Sequence, residues 1–273
     1  IVYGDKKIEP TLTTPDPIYL QSVLADMRDC GVEYVVMEVS AHALYYQKDS
    51  GLRFSACIFT NFTQDHLDFF QCMDNYKNAK MRLFDNEKCP VAIVNGDDDT
   101  GREIAKARLN AKTVFYGMDT PTDAFAVITY EGLYGIEFVL NIMDKLSRIS
   151  LSLLGKHNVY NALAASVCAT ELGISLAEVA EGLRTLKKVN GRLEYLRQYN
   201  GADIFVDFAH TPDGLKKSLE CLLPHTQGRL ICVFGCGGNR DTLKRIPMGE
   251  AVARKSHFSV LTSDNPRYED PLD

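Results

Sequence analysis

Residues 34–42 read Tyr34-Val35-Val36-Met37-Glu38-Val39-Ser40-Ala41-His42, and residues 55–68 run from Ser55-Ala56-Cys57-Ile58-Phe59-Thr60-Asn61 to Asp65-His66-Leu67-Asp68. Each begins as an apolar run of strand length and ends in side chains that can hold cations or move protons. Apolar runs without alternation mark strands covered on both faces, as in parallel sheets. Outward from these two the pattern repeats. Val91-Ala92-Ile93-Val94-Asn95 and residues 113–116 read as further strands. Helical patterns separate the strands over 21–30, stopped by Gly31, over 74–84, and over 99–109. Strands alternating with helices predict an α/β architecture on a mostly parallel sheet.

Between 123 and 152 the pattern changes. Phe125-Ala126-Val127-Ile128, residues 134–140 and residues 149–153 predict a small antiparallel meander, with Glu131-Gly132 in its first turn. Helices follow over 158–172 and 176–187. Asn190-Gly191 marks a boundary, beyond which the alternation restarts with strands at 204–207, 229–234 and 257–262 and helices at 212–223 and 247–255. Two α/β domains are expected, residues 1–189 and 190–273.

The 273 residues are 45% hydrophobic and 24% charged, ordinary for a globular protein, and long enough for two cores. A net charge of −6 argues against a broad nucleic-acid surface. No apolar run approaches the roughly 18 residues of a membrane span. Ile1-Val2-Tyr3-Gly4-Asp5 carries no charged stretch leading into an apolar one, which argues against a secretion signal. The start without Met and the stop at Asp270-Pro271-Leu272-Asp273 suggest a piece of a longer protein. Eight scattered cysteines, none in a CxxC pair, read as reduced, buried thiols of a cytoplasmic protein.

In open parallel sheets ligands bind beyond the carboxyl ends of the strands. Here those ends carry Glu38-Val39-Ser40-Ala41-His42, Asp65-His66-Leu67-Asp68, Asp207-Phe208-Ala209-His210, Gly235 with Asn239-Arg240-Asp241, and Asp264-Asn265-Pro266-Arg267. Together they predict a site at the junction of two domains. Glu38 interrupts an apolar run. Either it sits at an exposed last turn, or it is buried and needs a cation, hydrogen bonds or a proton. Tyr76, Ala79, Lys80, Leu83 and Phe84 share one helix face by their spacing. Lys80 is then a snorkelling side chain at the stripe edge, or a desolvated amine able to form a carbamate with CO₂. Gly235-Cys236-Gly237-Gly238 lets backbone N–H groups approach an anion, with Arg240, Lys244 and Arg245 behind it, or is simply a basic turn. Lys156-His157-Asn158-Val159-Tyr160-Asn161 after Gly155 is a helix start that either caps itself or offers side chains to a nucleoside, and Thr13-Thr14-Pro15 precedes another helix. No GxxxxGK[ST] phosphate loop occurs.

These stretches resemble the Mur ligases, most closely the branch that adds the third residue of the peptidoglycan stem. The resemblance rests on Thr13-Thr14-Pro15, residues 37–44, residues 60–68, YxxAKxxLF over 76–84, GxHNxxNxxAA over 155–165, Gly191-Arg192-Leu193-Glu194, residues 207–213, residues 235–245 and residues 264–267, in the family's order. It implies a central ATPase-type domain, mostly parallel with a small antiparallel meander, followed by a partial Rossmann-like α/β domain. It implies Thr13, Thr14, Ser40 and Lys48 at the UDP-muramoyl substrate, and Glu38 and His66 at magnesium. Lys80, carbamylated, would help hold a second magnesium. Asn158, Asn161, Arg192 and Asp207 would contact ATP, with His210 beside them as a catalytic group. Arg240, Asp264, Asn265, Pro266 and Arg267 would grip the incoming amino acid.

The implied reaction is ATP-dependent addition of meso-diaminopimelate to UDP-N-acetylmuramoyl-L-alanyl-D-glutamate through an acyl phosphate. In the family an arginine at position 267 accompanies diaminopimelate, and relatives that add lysine carry a smaller residue. The resemblance also implies cytoplasmic work as a monomer, without nucleic acid or membrane. Tyr46 and Lys48 stand where many members have Gln and Arg, Phe208 where Tyr is usual, and His157 where Phe is common. The family's uridine-binding domain and phosphate loop are not among these residues, so the polypeptide alone is expected to be inactive. Competing readings are a lysine-adding ligase, a folylpolyglutamate synthase on the same fold, and a degenerate binding module.

Overall fold

Proline at the first position of a helix loses no intrahelical bond and presets the backbone. Helix α1 (Pro17–Asp29) uses this after the hairpin of β1 (Val2–Tyr3) and β2 (Lys6–Lys7). It therefore begins four residues before the helix read from periodicity. Leu20, Val23 and Met27 form its buried stripe, and Val23 and Met27 pack on Tyr3. The structure, a computed structural model, describes residues 1–9, 12–108 and 111–270. The last residue of the helix expected over 99–109 lies outside them.

The strand expected over 34–39 does not form. No helix or strand is formed there, no strand among the described residues pairs with it, and Val36 is 98% exposed. A strand is made by its ladder partners, and an apolar run supplies only the side chains that a covered sheet would bury. Short helix α2 (Ala41–Tyr45) follows, then β3 (Cys57–Phe59), α3 (Leu67–Phe70), α4 (Met73–Met81), β4 (Val91–Asn95), α5 (Asp99–Ala107), β5 (Lys112–Gly117), β6 (Ala124–Gly132), β7 (Gly135–Ile142) and β8 (Lys145–Leu151). Strands β3 to β8 make one six-stranded sheet in sequence order. The pairs from β3 to β6 are parallel, and β6, β7 and β8 form the expected antiparallel meander. Its first turn falls at Leu133-Tyr134, after Gly132 rather than on it. Helices α6 (Lys156–Glu171) and α7 (Leu176–Thr185) close the sheet, burying Ile93, Leu140, Val159 and Leu163 completely.

The second lobe opens with a hairpin of which the sequence led us to expect only the second strand, at 204–207. Strand β9 (Glu194–Tyr199) pairs antiparallel with β10 (Ala202–Val206). Asn200 and Gly201 turn between them at φ +48° and +80°. Positive φ at both central residues is what a two-residue hairpin requires, and Asn-Gly is its strongest sequence signal. Then come α8 (Pro212–Leu222), β11 (Ile231–Phe234), α9 (Arg245–Lys255) and β12 (Phe258–Leu261), with β11 and β12 parallel. Leu215, Leu219, Met248 and Val252 bury one another between the two helices. Val233, on the other face of β11, is 65% exposed. All eight cysteines are free thiols. Cys30 and Cys72 are exposed rather than buried, because both sit at helix ends.

Candidate functional site

A cleft of about 1710 Å³ runs between the two lobes. From the first lobe Thr13, Thr14, Glu38, Ser40, His42, Lys48, Asp65 and His66 line it. From the second come Arg192, Asp207, His210, Arg240, Lys244, Asp264, Asn265 and Arg267. Thirteen of the seventeen residues given a role from the sequence thus meet at one seam. Lys80, Asn158, Asn161 and Pro266 do not line it.

Local hydrogen bonds hold the first-lobe wall in place. The Thr14 hydroxyl donates to the Glu38 carbonyl at 3.0 Å and accepts from the Ser40 amide at 3.2 Å. One buried threonine thus ties down both ends of a backbone segment that has no ladder. Ser40 in turn caps α2 by accepting from the Ala43 amide at 3.1 Å. Glu38 is exposed into the cleft, not buried, so the costly unpaired carboxylate does not arise. Asn95, at the end of β4, donates to the Thr60 carbonyl at 2.8 Å, and Asp98 accepts from the Phe62 amide at 2.8 Å. These two bonds fix the loop that presents His66, whose backbone is left-handed at φ +57°.

His66 packs edge-on against His42, with ring centroids 4.8 Å apart, and also contacts Tyr76. Burial lowers the His42 pKa, and His66 beside it adds to this, so its ring stays neutral at pH 7. Lys80 lies on α4 below this pair, its ammonium 5.3 Å from the centre of the Tyr76 ring. Burial lowers its pKa from the ordinary 10.5, while Asp98, Asp65 and Glu38 act against that. Lys80 is half-buried and does not line the cleft, so its amine is partly desolvated.

Two segments of the second lobe interlock to form the opposite wall. Gly237 bridges Asp264, and the Gly238 amide donates to the Asn265 carbonyl at 3.1 Å. The Arg267 guanidinium donates to the Gly238 carbonyl at 2.7 Å. A Cβ on Gly238 would lie 2.0 Å from the Pro266 carbonyl oxygen, so no larger residue fits. This is how a glycine loop and a tetrapeptide some 25 residues downstream become one surface. Asp207 braces the linker: it accepts from the Leu193 amide at 2.7 Å, the Ala209 amide at 2.9 Å and the Ser218 hydroxyl at 2.9 Å. Arg192 lies over the Phe208 ring at 5.5 Å.

Asp65 is a residue the sequence reading left unassigned. Its carboxylate accepts from the His66 amide at 2.9 Å, and it lies 3.7 Å from His210 Nε2 and 4.0 Å from Lys244 Nζ across the seam. Burial would raise its pKa, but His210, His66 and Lys244 overcome this and hold it at about 2. His210 is raised in return, chiefly by Asp65. Asp and His adjacent in a loop gave no way to rank the two from sequence alone.

Residues 2–169 match the Mur ligase middle domain, and residues 191–273 match the Mur ligase, glutamate ligase domain. The chain belongs to the Mur ligase family. The UDP-N-acetylmuramoyl-L-alanyl-D-glutamate–2,6-diaminopimelate ligase of Clostridium botulinum is 43% identical over 98% of this chain and 55% of its own length. The corresponding ligase 1 of Clostridium acetobutylicum is 44% identical, with the same coverage. A solved structure of a UDP-N-acetylmuramoyl-L-alanyl-D-glutamate–2,6-diaminopimelate ligase superposes with a TM-score of 0.71 at 32% identity, covering 94% of this chain and 54% of that one. The chain spans about half the length of these relatives. A folylpolyglutamate synthase from L. casei, at 15% identity and a TM-score of 0.60, shares the fold alone.

Within this Mur ligase chain, Asn158 and Asn161 sit at the start of α6. Asn158 is buried and donates to the Leu154 carbonyl at 2.7 Å, and Asn161 donates to Asn158 at 3.3 Å. Lys48 is paired with Asp16 at 2.7 Å on the cleft wall. Lys156, on the first turn of the same helix, pairs with Asp119 at 2.8 Å.

Proposed function

We propose that this chain carries the carboxyl-activating centre and the amino-acid grip of an ATP-dependent ligase that joins meso-diaminopimelate to UDP-N-acetylmuramoyl-L-alanyl-D-glutamate in peptidoglycan synthesis, in the cytoplasm. The observation that carries this is one cleft with Glu38 and His66 on one wall and Arg240 and Arg267 on the other, backed by a desolvated Lys80. Relatives above 40% identity named for that reaction support it.

In the reaction, the γ-phosphoryl group of ATP passes to the D-glutamate carboxylate. The amine of diaminopimelate then attacks the acyl carbon, and the bond to the phosphate oxygen breaks, giving the amide and inorganic phosphate. Thr13, Ser40 and Lys48, which line the cleft, hold the muramoyl dipeptide against the first-lobe wall in this reading. Arg240 and Arg267 orient the diamino acid, and a guanidinium holds a distal carboxylate through two parallel donors. Pinning both reactants in one cleft converts a bimolecular attack into a local one.

Lys80 is a half-buried amine under the influence of Asp98, Asp65 and Glu38. As a free amine it can add CO₂ and lose a proton, giving a carbamate. Four anionic groups would then converge, which only a hard cation bound by oxygen ligands would stabilise. By the family resemblance, Glu38, His66 and the Lys80 carbamate are the residues that would hold magnesium, which would neutralise phosphoryl oxygens as charge shifts between them. The test uses these residues in a protein of its relatives' full length. Lys80→Ala removes most ligation, and small carboxylic acids restore part of it by supplying the lost carboxylate. Near-normal turnover by the variant would overturn the carbamate reading.

A further inference from the structure

The two lobes touch through apolar and charged contacts of different kinds. Tyr134, in the turn between β6 and β7, meets Tyr195 of β9 edge-on at 5.8 Å, and the backbone at Gly155 lies against Cys221 of α8. The charged contact is at Asp65. Its carboxylate is 19% exposed, and Lys244 opposite it is 12% exposed. His210 Nε2 lies 3.7 Å away and Lys244 Nζ 4.0 Å away, on two different segments of the second lobe. Both distances are just beyond a hydrogen bond, so an approach of about 1 Å would close both. On its own side, the same carboxylate accepts from the His66 amide at 2.9 Å.

We propose that Asp65 is a positioning residue that holds the second lobe against the first and couples that closure to the loop carrying His66. A half-buried carboxylate needs hydrogen bonds or partners of opposite charge; the His66 ring, 3.5 Å away, serves Asp65 from its own lobe, and His210 and Lys244 approach it from the other. Separating the lobes strips Asp65 of Lys244 and His210 and leaves it only the His66 contacts. Bringing them together draws the carboxylate toward the second lobe, and the His66 amide moves with it. The consequence for turnover rests on the ligase reading above. The mechanical claim does not.

The test reads the seam directly. Lys187 and Lys188 are exposed in the linker between the lobes, so trypsin cleavage there reports opening. Asp65→Asn in the 273-residue chain raises the linker cleavage rate about 2- to 10-fold, the lower part of the range of couplings between contacting groups. Asp65→Lys raises it at least as far, and adding Lys244→Glu brings it back within about twofold of the parent. Unchanged cleavage in Asp65→Asn overturns the proposal, as does a charge swap that fails to recover while the melting temperature is kept. If Asp65→Lys does not fold, the cycle of Asp65→Asn with Lys244→Gln decides, since additive effects would remove the coupling. In the full-length protein, Asp65→Asn lowers kcat more than it raises KM for ATP. A parent without ligation would refute the ligase reading while leaving the cleavage result standing.

Discussion

The six-stranded sheet of the first lobe and the β11–β12 pair of the second are built from similar apolar runs, yet their side chains meet different fates. Ile93 on β4 and Leu140 on β7 are fully buried, because helix α6 covers the sheet and strands flank them on both sides. Val233 on β11 and Leu261 on β12 stay 65% and 72% exposed, since α8 and α9 cover one face only. Residues 34–39 go further: Val36 has neither a ladder partner nor a covering layer. Burial is thus a property of what packs against a strand. An apolar pattern states what a segment can bury, and the neighbouring elements decide whether it does.

That contrast is sharpest in stability. Leu140→Ala deletes side-chain volume from a site with no solvent access. It is expected to cost about 2–5 kcal/mol, the transfer energy of the lost methyl groups plus the cavity left behind. Urea unfolding of the first lobe checks it. A cost under about 1 kcal/mol would mean that this sheet is as loosely covered as β11.

A polar knot at the same sheet's edge gives the next effect. Asp97 accepts from the Met118 amide at 2.6 Å, the Asp119 amide at 3.1 Å, the Thr120 hydroxyl at 2.5 Å and the Tyr160 hydroxyl at 2.7 Å. Burial pushes its pKa up, but these four donors overcome that and hold it at about 2, against an ordinary 3.8. Asp97→Asn keeps the shape and gives up acceptor capacity, so it should destabilise the first lobe by roughly 1–3 kcal/mol at pH 7. The sign with pH follows from the lowered value. The stabilisation is complete above the unfolded carboxyl's pKa and drains away as pH falls through about 2. Unfolding curves of parent and variant should therefore differ at pH 7 and converge toward pH 2. A gap that stays constant across that window would assign the effect to packing instead.

Much of this was legible in the sequence, and the failures have physical causes. Strand β4, the meander and both long helices of the first lobe follow from period and propensity, because local pattern and tertiary cover agree there. The β9–β10 hairpin was announced by Asn200-Gly201, but its strands carry Glu194, Arg197 and Gln198 on an exposed surface, and the alternation is too weak to stand out. The clustering of Glu38, His66, His210, Arg240 and Arg267 followed from the rule that ligands gather at the ends of parallel strands. Asp65 did not stand out, since its partners lie some 145 and 179 positions downstream and pair with it only when two lobes meet. Lys80 was the reverse case, a half-buried amine whose place on the inward helix face was readable from its spacing.

The smallest expected effect tests the contrast from its other side. Val36→Ser places a hydroxyl where the chain already meets water, 98% exposed and outside any helix or strand. With no apolar contact to lose, the stability of the 273-residue chain should change by no more than about 0.5 kcal/mol. Its solubility should rise, because an unpaired apolar strand edge is a template for association between chains. Light scattering at increasing concentration, beside urea melts, separates the two quantities. A loss of about 2 kcal/mol or more would mean that a layer covers residues 34–39 in solution. The apolar run would then mark a filled position in the sheet, and the difference between the two regions would be one of degree.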